Sequence, residues 1–496
     1  GYENYYQYIE ELGADRDGYV LTNFPYLNNG PKDLIGNSGK GKEYAYRSYF
    51  GRVMYSYADR YLFQANIRHD GSSRFAKKHR WGTFPSFSAG WVLSEENFMK
   101  NLNWDWLSFL KIRATWGALG NERIGDFPYM STIAFGNTIF YQNNGIYFDQ
   151  TASQQKYAIE NVTWEKTEST DIGLDISFLN NRLRVNGDYY WKNTKDMLLA
   201  MAIPDFLGFS DPDVNAGKMS TKGYELNVSW NDHIGDFSYG IAINFSDFTS
   251  KMGDLQGTQF LGDKVKMEGS EFNEWYGYVS DGLFLTEEDL KNSPKINDKN
   301  TQLGDIKYKD ISGPDGVPDG KISPEYDRVL LGSSLPHFLY GGNINLGYKN
   351  FDLSLAFQGV GKQNARLARE MVEPFRNNYG NFPAIIDGNY WSPYNTDEQN
   401  AVAKYPRLTH VNKSSNYAMS DYWLFNGGYF RLKNVTLGYT FPKEWMKAIG
   451  IKGARIYASA SDLFCLNNYP KGWDPEMGVS EYPITTSILL GVSVNF

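Results

Sequence analysis

The stretch FLYGGNINLGYKNFDLSLAFQG, residues 338–359, alternates two kinds of side chain. Apolar and aromatic residues recur at every second position of each half, and the positions between them are mostly Gly, Asn, Asp, Ser and Gln. A period of two predicts β-strands, and Lys349-Asn350 at the centre predicts a tight turn. The stretch is therefore predicted to form a hairpin with one apolar face and one polar face.

The same alternation recurs along the chain, for example in YELNVSW (224–230), FSYGIAINF (237–245) and DIGLDISF (171–178). Many of these runs reach the ~9–11 residues needed to cross a bilayer, whereas strands of soluble sandwiches usually have about 5–6. Short turns alternate with long connections, which is typical of outer-membrane barrels. The predicted fold class is therefore all-β: a transmembrane antiparallel β-barrel with long extracellular loops.

Composition excludes several other classes of protein. The 496 residues carry a formal net charge of −8, which argues against nucleic acid as a partner because phosphates bind a basic face. Cys465 is the single cysteine, so the chain cannot hold an internal disulfide. It contains no run of about 18 apolar residues, so no transmembrane helix is expected.

About thirteen membrane strands are predicted, and residues 1–43 are predicted to be an extracellular loop region. The strands are placed at 44–57, 61–70, 82–93, 108–117, 164–178, 182–193, 220–230, 236–247, 336–348, 351–361, 423–441, 454–464 and 483–496. Single-chain bacterial barrels have an even number of strands, and an open edge in lipid would leave backbone groups without hydrogen bonds. We therefore expect another polypeptide segment to pair along both 44–57 and 483–496.

The stretch SILLGVSVNF, residues 487–496, alternates apolar residues from Ile488 to Phe496. An aromatic carboxy terminus on a lipid-facing strand is read by the machinery that assembles outer-membrane barrels. Phe496 is therefore predicted to be an assembly signal.

Aromatic residues cluster in the long loops. Rings of this kind bind the C–H faces of sugars, and they also anchor peptides and protein partners; packing of the loops is the alternative. The candidates for contact with a substrate or a lid protein are Trp275, Tyr276, Tyr278, Tyr390, Trp391, Tyr394 and Trp423.

The segment DISGPDGVPDGKISPEYD, residues 310–327, offers oxygen atoms that could bind calcium. The candidate ligands are Asp310, Ser312, Asp315, Asp319 and Asp327. Pro314 breaks the EF-hand spacing, and a loop whose carboxylates bond its own backbone is the alternative. No other cofactor is expected, and no spacing of acids marks a catalytic pair, so the chain is not predicted to be an enzyme.

Several separated motifs resemble, in the family's order, the SusC/RagA family of TonB-dependent outer-membrane transporters. They are DGSSRF (70–75), WGTFPSFSAGW (81–91), SEENFM (94–99), GDIKYKD (304–310), YFRLKNVTLGYTFP (429–442) and YPKGWDPE (469–476). The resemblance implies a barrel of 22 strands, of which residues 44–496 would be the C-terminal portion. The plug, the TonB-contacting segment and the early strands are expected to lie outside this chain.

The resemblance also implies a function and partners. It implies import of oligosaccharide or peptide across the outer membrane of a Gram-negative bacterium of the Bacteroidota type. The implied partners are a SusD-like surface lipoprotein as a lid, the TonB complex, outer-membrane lipid and the remaining barrel and plug segment. Polar residues such as Arg68, Asn343, Asn345 and Gln358 would line the lumen. The alternatives are a siderophore or cobalamin receptor and, from another class, a soluble carbohydrate-binding β-protein.

Overall fold

The computed structural model describes residues 1–496 apart from 21–22, 32, 34, 143–144, 155, 202, 204, 258–260, 377–379, 449 and 479–480. Fourteen strands form one large sheet, numbered β1 to β14 below. Their bounds are β1 Tyr2–Arg16, β2 Ile35–Tyr57, β3 Tyr61–Ser72, β4 Trp81–Val92, β5 Leu107–Asn121, β6 Glu165–Phe178, β7 Leu183–Lys195, β8 Lys218–Ile234, β9 Phe237–Met252, β10 His337–Tyr348, β11 Phe351–Lys362, β12 Tyr429–Thr440, β13 Gly453–Asn467 and β14 Ser487–Asn495.

Shorter elements occupy the connections. Small strands lie at Ile133–Gln142, Gly145–Gln154, Leu198–Ala200, Asp213–Asn215, Lys264–Val265, Glu274–Tyr278, Ser280–Leu283, Ile306–Tyr308, Arg328–Gly332, Asn364–Arg366 and Leu424–Asn426. The α-helices are α1 Asn97–Lys100, α2 Glu287–Asn292, α3 Arg369–Val372, α4 Asp397–Ala401, α5 Lys413–Asn416 and α6 Lys443–Ala448, and 3-10 turns lie at Leu27–Asn29, Leu93–Glu95, Asp205–Leu207, Ala384–Ile386 and Asp421–Trp423. Within the described residues, no helix is both long enough and apolar enough to span a membrane.

The strands of the large sheet follow one another in chain order. All thirteen predicted strands are present, with the largest shifts at the starts of β2 and β12. The hairpin predicted from residues 338–359 is confirmed, because Tyr348 pairs with Phe351 across a turn. Lys349 takes up the left-handed conformation that this turn needs, with φ of 53°.

The predicted count is wrong by one strand, because residues 2–16 form β1 rather than part of a loop. This strand pairs with β2 from Tyr2 opposite Tyr49 to Arg16 opposite Ile35. Apolar and polar residues do not alternate regularly along β1, so the period of two that predicted the other strands could not reveal this one. We also expected a segment from outside this chain to pair along 44–57, and this expectation is wrong because β1 occupies that edge. The argument from an odd number of strands no longer applies, because fourteen is even.

The chain divides into two compact units. Unit 1 comprises residues 1–91, 113–171 and 192–219, and unit 2 comprises residues 92–112, 172–191 and 220–496.

In unit 2, strands β9 to β13 pair so that residues of like polarity form rows across the sheet. One row contains Ile241, Ile344, Leu355, Val435 and Ala460, and the adjacent row contains Gly240, Asn345, Ser354, Thr436 and Ser459. A slip of one residue in any pair would exchange the two faces, so the alternation fixes the register. Ile488 extends the apolar row on β14 and is 73% exposed, as expected for a face that meets lipid rather than protein.

In unit 1, a small aromatic core explains why DGSSRF and WGTFPSF stand out in the sequence. Phe75, the last residue of the first motif, is completely buried against Trp164, and their ring centroids lie 5.3 Å apart. Phe84 of the second motif contacts the same indole edge-on. The indole N–H of Trp164 donates to the carbonyl of Arg80 at 2.9 Å, which ties the loop after β3 to the start of β6.

The assignment of faces predicts the effect of a charge in the sheet. Leu355→Arg puts the guanidinium at the middle of the apolar face, so we expect the free energy of unfolding in lipid vesicles to fall by about 2–4 kcal/mol. The matched control is Ser354→Arg on the polar face, which removes one exposed hydrogen bond to Asn345 and should change stability by no more than about 1 kcal/mol. Equal losses in the two variants would contradict the assignment.

Candidate functional site

The long connections of unit 2, residues 253–336 and 363–428, pack around a hydrophobic core that we call the loop core. Its buried members come from segments far apart in the chain: Tyr278, Leu283, Ile306, Tyr308, Ile322, Met371, Val372, Ile386, Trp391, Tyr417 and Trp423. Loops without such a core are usually the least stable parts of a protein. The described residues of these connections therefore behave as one packed body.

A buried carboxylate, that of Asp305, organises the polar contacts of the loop core. Asp305 is 0% exposed, and its two oxygens accept from the guanidinium of Arg407 at 2.7 and 3.2 Å. The side-chain amides of Asn412 and Asn416 donate to the same carboxylate at 2.8 Å each, and the backbone amide of Gln302 donates at 2.9 Å. A buried charge is stable only with this degree of pairing and hydrogen bonding.

The motif GDIKYKD supplies a second link between the same segments. The phenol of Tyr308 donates to the carbonyl of Ser415 at 2.7 Å, and the phenol of Tyr417 donates to the carbonyl of Val372 at 3.1 Å. Burial raises the pKa of both phenols far above the ordinary value, so both stay neutral and keep their donor protons. The motif therefore ties the loops together rather than contacting solvent.

Three of the seven aromatic candidates belong to the loop core, which corrects their prediction as ligand contacts. Trp423 is 2% exposed and donates its indole N–H to the carbonyl of Asn416 at 2.9 Å. Trp391 is 9% exposed and Tyr278 is 6% exposed. These rings are buried because their large apolar surfaces fill the space between loops, and they present no face to a substrate or a lid.

The other four candidates lie nearer the surface. Trp275 is half-buried and has Lys264 over its ring at 4.5 Å from the centroid, and its indole N–H donates to the carbonyl of Asn364 at 2.6 Å. The guanidinium of Arg328 lies 4.4 Å from the ring centroid of Tyr276. Tyr390 is half-buried and packs against a phenylalanine ring. Tyr394 is 97% exposed, so it is the candidate best placed to contact a partner, and its role stays a prediction.

The carboxylates of the acidic segment are directed at backbone amides. Asp327 is 0% exposed and accepts from the amides of Ile311 at 2.8 Å, Ser312 at 3.2 Å and Ser323 at 2.7 Å. Asp310 accepts from the amide of Gly320 at 2.6 Å.

Asp319 follows the same pattern and accepts from the amide of Lys321 at 3.0 Å. Asp315 differs from the other three aspartates because it is exposed. The described residues contain no group of three or more Asp, Glu, His or Cys side chains able to hold a metal. Asp310, Asp319 and Asp327 therefore cap backbone amides of this segment, and the binding of calcium stays a prediction.

The polar face of β9 to β12 borders a recess of about 560 Å³ in unit 2. Amide and hydroxyl side chains supply most of its polar lining: Asn186, Asn227, Ser229, Asn244, Asn343 and Gln358. Such groups donate and accept hydrogen bonds without carrying charge. The recess is therefore suited to uncharged polar groups such as sugar hydroxyls or peptide amides.

A network of charges closes one end of this face and joins two of the family-like motifs. Arg431, which is 2% exposed, lies 2.5 Å from Asp474 and 2.9 Å from Glu476. Gln358 donates to Glu476 at 2.8 Å. Burial of the Asp474 carboxyl opposes ionisation, but the hydrogen bonds from Arg431 and from the Glu476 amide outweigh it and hold the pKa of Asp474 below its usual value.

Sequence reasoning did not identify Asp305 or Arg431 as organising residues, although both lie in motifs that it singled out. Arg68 is found as predicted on a polar face, where it donates to the hydroxyls of Tyr46 and Ser48. Phe496 is 83% exposed, and its role in assembly stays a prediction.

The chain is similar to proteins of known class. A family model described as TonB dependent receptor-like, beta-barrel, matches residues 2–463. The chain is 32% identical over its full length to the TonB-dependent receptor SusC of Bacteroides thetaiotaomicron, of which it covers 50%. It is also 31% identical over 95% of its length to TonB-dependent receptor P3 of Formosa agariphila, of which it covers 46%. The chain thus spans about half the length of these curated relatives.

A solved structure shares the fold. The RagAB peptide transporter matches 99% of this chain and 52% of its own with a TM-score of 0.79 and 22% identity.

The Asp305 cluster predicts a large effect of a single substitution. Asp305→Ala leaves Arg407 without its carboxylate and two buried amides without an acceptor, so we expect a loss of about 3–5 kcal/mol from the loop core. Limited proteolysis of residues 280–420 measures the opening of the loops. Asp298→Ala, an exposed site in the same connection, should leave the cleavage rate unchanged. Equal cleavage of both variants would show that the carboxylate does not organise the core.

The amide-capped loop predicts stability without calcium. Asp327→Asn retains one acceptor oxygen but points an N–H₂ group at backbone amides, so we expect a loss of about 1–3 kcal/mol. Calcium and a chelator should leave the melting temperature of the parent protein unchanged. A rise in melting temperature on adding calcium, abolished in the Asp327→Asn variant, would restore the metal site.

Proposed function

The chain belongs to the family of TonB-dependent receptor β-barrels, which are outer-membrane proteins, and we propose that it forms part of an importer for oligosaccharide or peptide nutrients. The observation that carries this proposal is the polar face of β9 to β12 with its amide-lined recess. In a barrel of this family that face borders the lumen, while the apolar rows meet lipid. A wall made mostly of amide and hydroxyl side chains, with Lys433 also among its lining residues, suits a cargo rich in hydroxyl or amide groups.

The proposed mechanism begins with cargo bound at the extracellular mouth, among the loops held together by the loop core. A SusD-like lipoprotein would close over this mouth as a lid, and exposed Tyr394 is a candidate contact. The TonB complex would then displace a plug and allow the cargo to move along the polar wall. The mechanism requires no catalytic step.

Of the two alternatives to this proposal, one is excluded and the other has less support. Membership of the family excludes the soluble carbohydrate-binding protein, because the apolar rows belong to a membrane barrel. A siderophore or cobalamin receptor belongs to the same broad class. However, the likeness to SusC supports nutrient import.

Two adjacent residues on opposite faces test the polar wall. Asn343→Trp places an indole in the recess and should slow growth on the imported nutrient, because the ring fills part of the recess and removes an amide from its wall. Ile344→Trp puts the same ring on the lipid face and should leave growth unchanged. The measurement is growth of a receptor-deletion strain, complemented with each variant, on a panel of oligosaccharides and peptides as sole carbon source.

Immunoblots of the outer-membrane fraction control for assembly of both variants. Copurification of a surface lipoprotein and loss of growth when TonB is inactivated would support the two partners. Normal growth of the Asn343→Trp strain on every nutrient that the parent strain uses would refute the proposed path.

A further inference from the structure

A groove of about 400 Å³ runs along one face of β2 to β5 in unit 1. Its floor is made of small residues, Ala65, Ala89 and Ala114, and its walls are the rings of Phe63, Phe87 and Trp116. The rings of Phe87 and Trp116 stack with centroids 6.0 Å apart. We propose that this groove binds one acyl chain of a glycerophospholipid in the periplasmic leaflet of the outer membrane.

The groove lies on the face that meets the membrane. Phe63 and Phe87 are more than half exposed, and Ala65 pairs directly with Phe87 in the β3–β4 ladder. The adjacent row points to the other face and is polar. In that row Arg52 donates to Asn66 at 2.7 Å, and Asn66 donates to Ser86 at 3.0 Å. The alternation of side chains therefore puts the apolar groove on one face of the sheet and polar residues on the other face.

Two ladders of stacked aromatic rings bracket the groove and place it at the depth of the hydrocarbon. One ladder contains Tyr57, Tyr61 and Trp91, and the other contains Tyr49, Trp81 and His69. Tyr49 precedes Tyr57 on β2 by roughly 26 Å along the strand, at about 3.3 Å per residue, and a strand tilt of about 35–45° makes this roughly 20 Å along the membrane normal. Aromatic girdles of outer-membrane barrels flank an apolar band of about 25 Å. Hydrocarbon is therefore what surrounds this groove.

The groove lies closer to the ladder of Tyr57, Tyr61 and Trp91, which is beside the short turn, than to the other ladder. Tyr55 pairs with Phe63 one row from Tyr57 and Tyr61, and the turn between the strands consists of residues 58–60. Short turns of bacterial outer-membrane barrels lie on the periplasmic side, where the leaflet is glycerophospholipid. Arg60 in this turn, with its guanidinium 5.9 Å from the Tyr61 ring centroid, lies at the level of the headgroup phosphates.

The size and chemistry of the groove fit one alkyl chain. The groove has a volume of about 400 Å³ and is lined almost wholly by apolar surface, so it can hold part of an alkyl chain. Eight of the twelve lining residues are alanine, valine or aromatic, and the other four are Gln64, Ser88, Thr115 and Thr170. Recognition therefore rests mainly on shape and on dispersion contacts. A branched or bulky side chain on the floor would displace the lipid.

The first test fills the groove with larger side chains and uses the complete receptor, purified from its own outer membrane. Ala65→Leu combined with Ala89→Leu fills the floor, and Ala458→Leu is the matched control. Ala458 lies on the apolar face of β13 between Leu437 and Leu490. Native mass spectrometry after detergent exchange counts the retained phosphatidylethanolamine or phosphatidylglycerol.

We expect one retained lipid on the parent and on the control. Its occupancy should fall about tenfold in the double variant, which corresponds to the loss of about two methylene contacts. Equal retention by all three proteins would overturn the proposal.

Photocrosslinking provides a second test that does not fill the groove. Val53 lies at the rim and is 68% exposed, so Val53→benzoylphenylalanine reports what occupies the groove in intact cells. An adduct with the mass of a phospholipid supports the proposal. An adduct with a second copy of the receptor, or one with lipid A, overturns it. An equal lipid adduct from the same photoreactive residue at Ile67, which is exposed on the same face outside the groove, would show a general lipid shell and overturn it as well.

Discussion

The structure depends on one constraint, the pairing of backbone N–H and C=O groups between neighbouring strands. In a bilayer an unpaired group is costly because no water can satisfy it. Antiparallel pairing meets this requirement, and it also fixes which residues lie opposite one another. In unit 2 the row through Ile344 and Leu355 therefore stays on one face, and the row through Asn345 and Ser354 stays on the other. Lipid contact and the polar wall both follow from this register.

The long connections follow a different physical rule. They lie outside the large sheet, so they must supply their own core to be ordered. The loop core does this with buried aromatic rings and with the Asp305 carboxylate, which receives four donor groups from three segments. A buried charge of this kind gives strict geometry, because each donor has one position at which it satisfies the acid. Loops built in this way have a defined shape.

The two faces of the sheet use aromatic and charged residues for different purposes. On the membrane face, rings stack in ladders beside turns, as Tyr57, Tyr61 and Trp91 do. On the polar face, charges are paired, so that Arg431 faces Asp474 and Glu476 across the strand ends. Two amides of the polar wall also take part in this pairing, since Gln358 donates to Glu476 and Asn186 donates to Asp175.

The sequence by itself determined the strands, the turn at Lys349 and the assignment of faces, because a period of two is a local property of the chain. It missed β1, because apolar and polar residues do not alternate regularly along that strand. Only the tertiary structure decided that Trp391 and Trp423 fill the loop core and that Asp327 caps amides. It alone brought Arg431 to Asp474, across 43 residues of chain. Burial and pairing of this kind depend on contacts between distant segments, which no local pattern records.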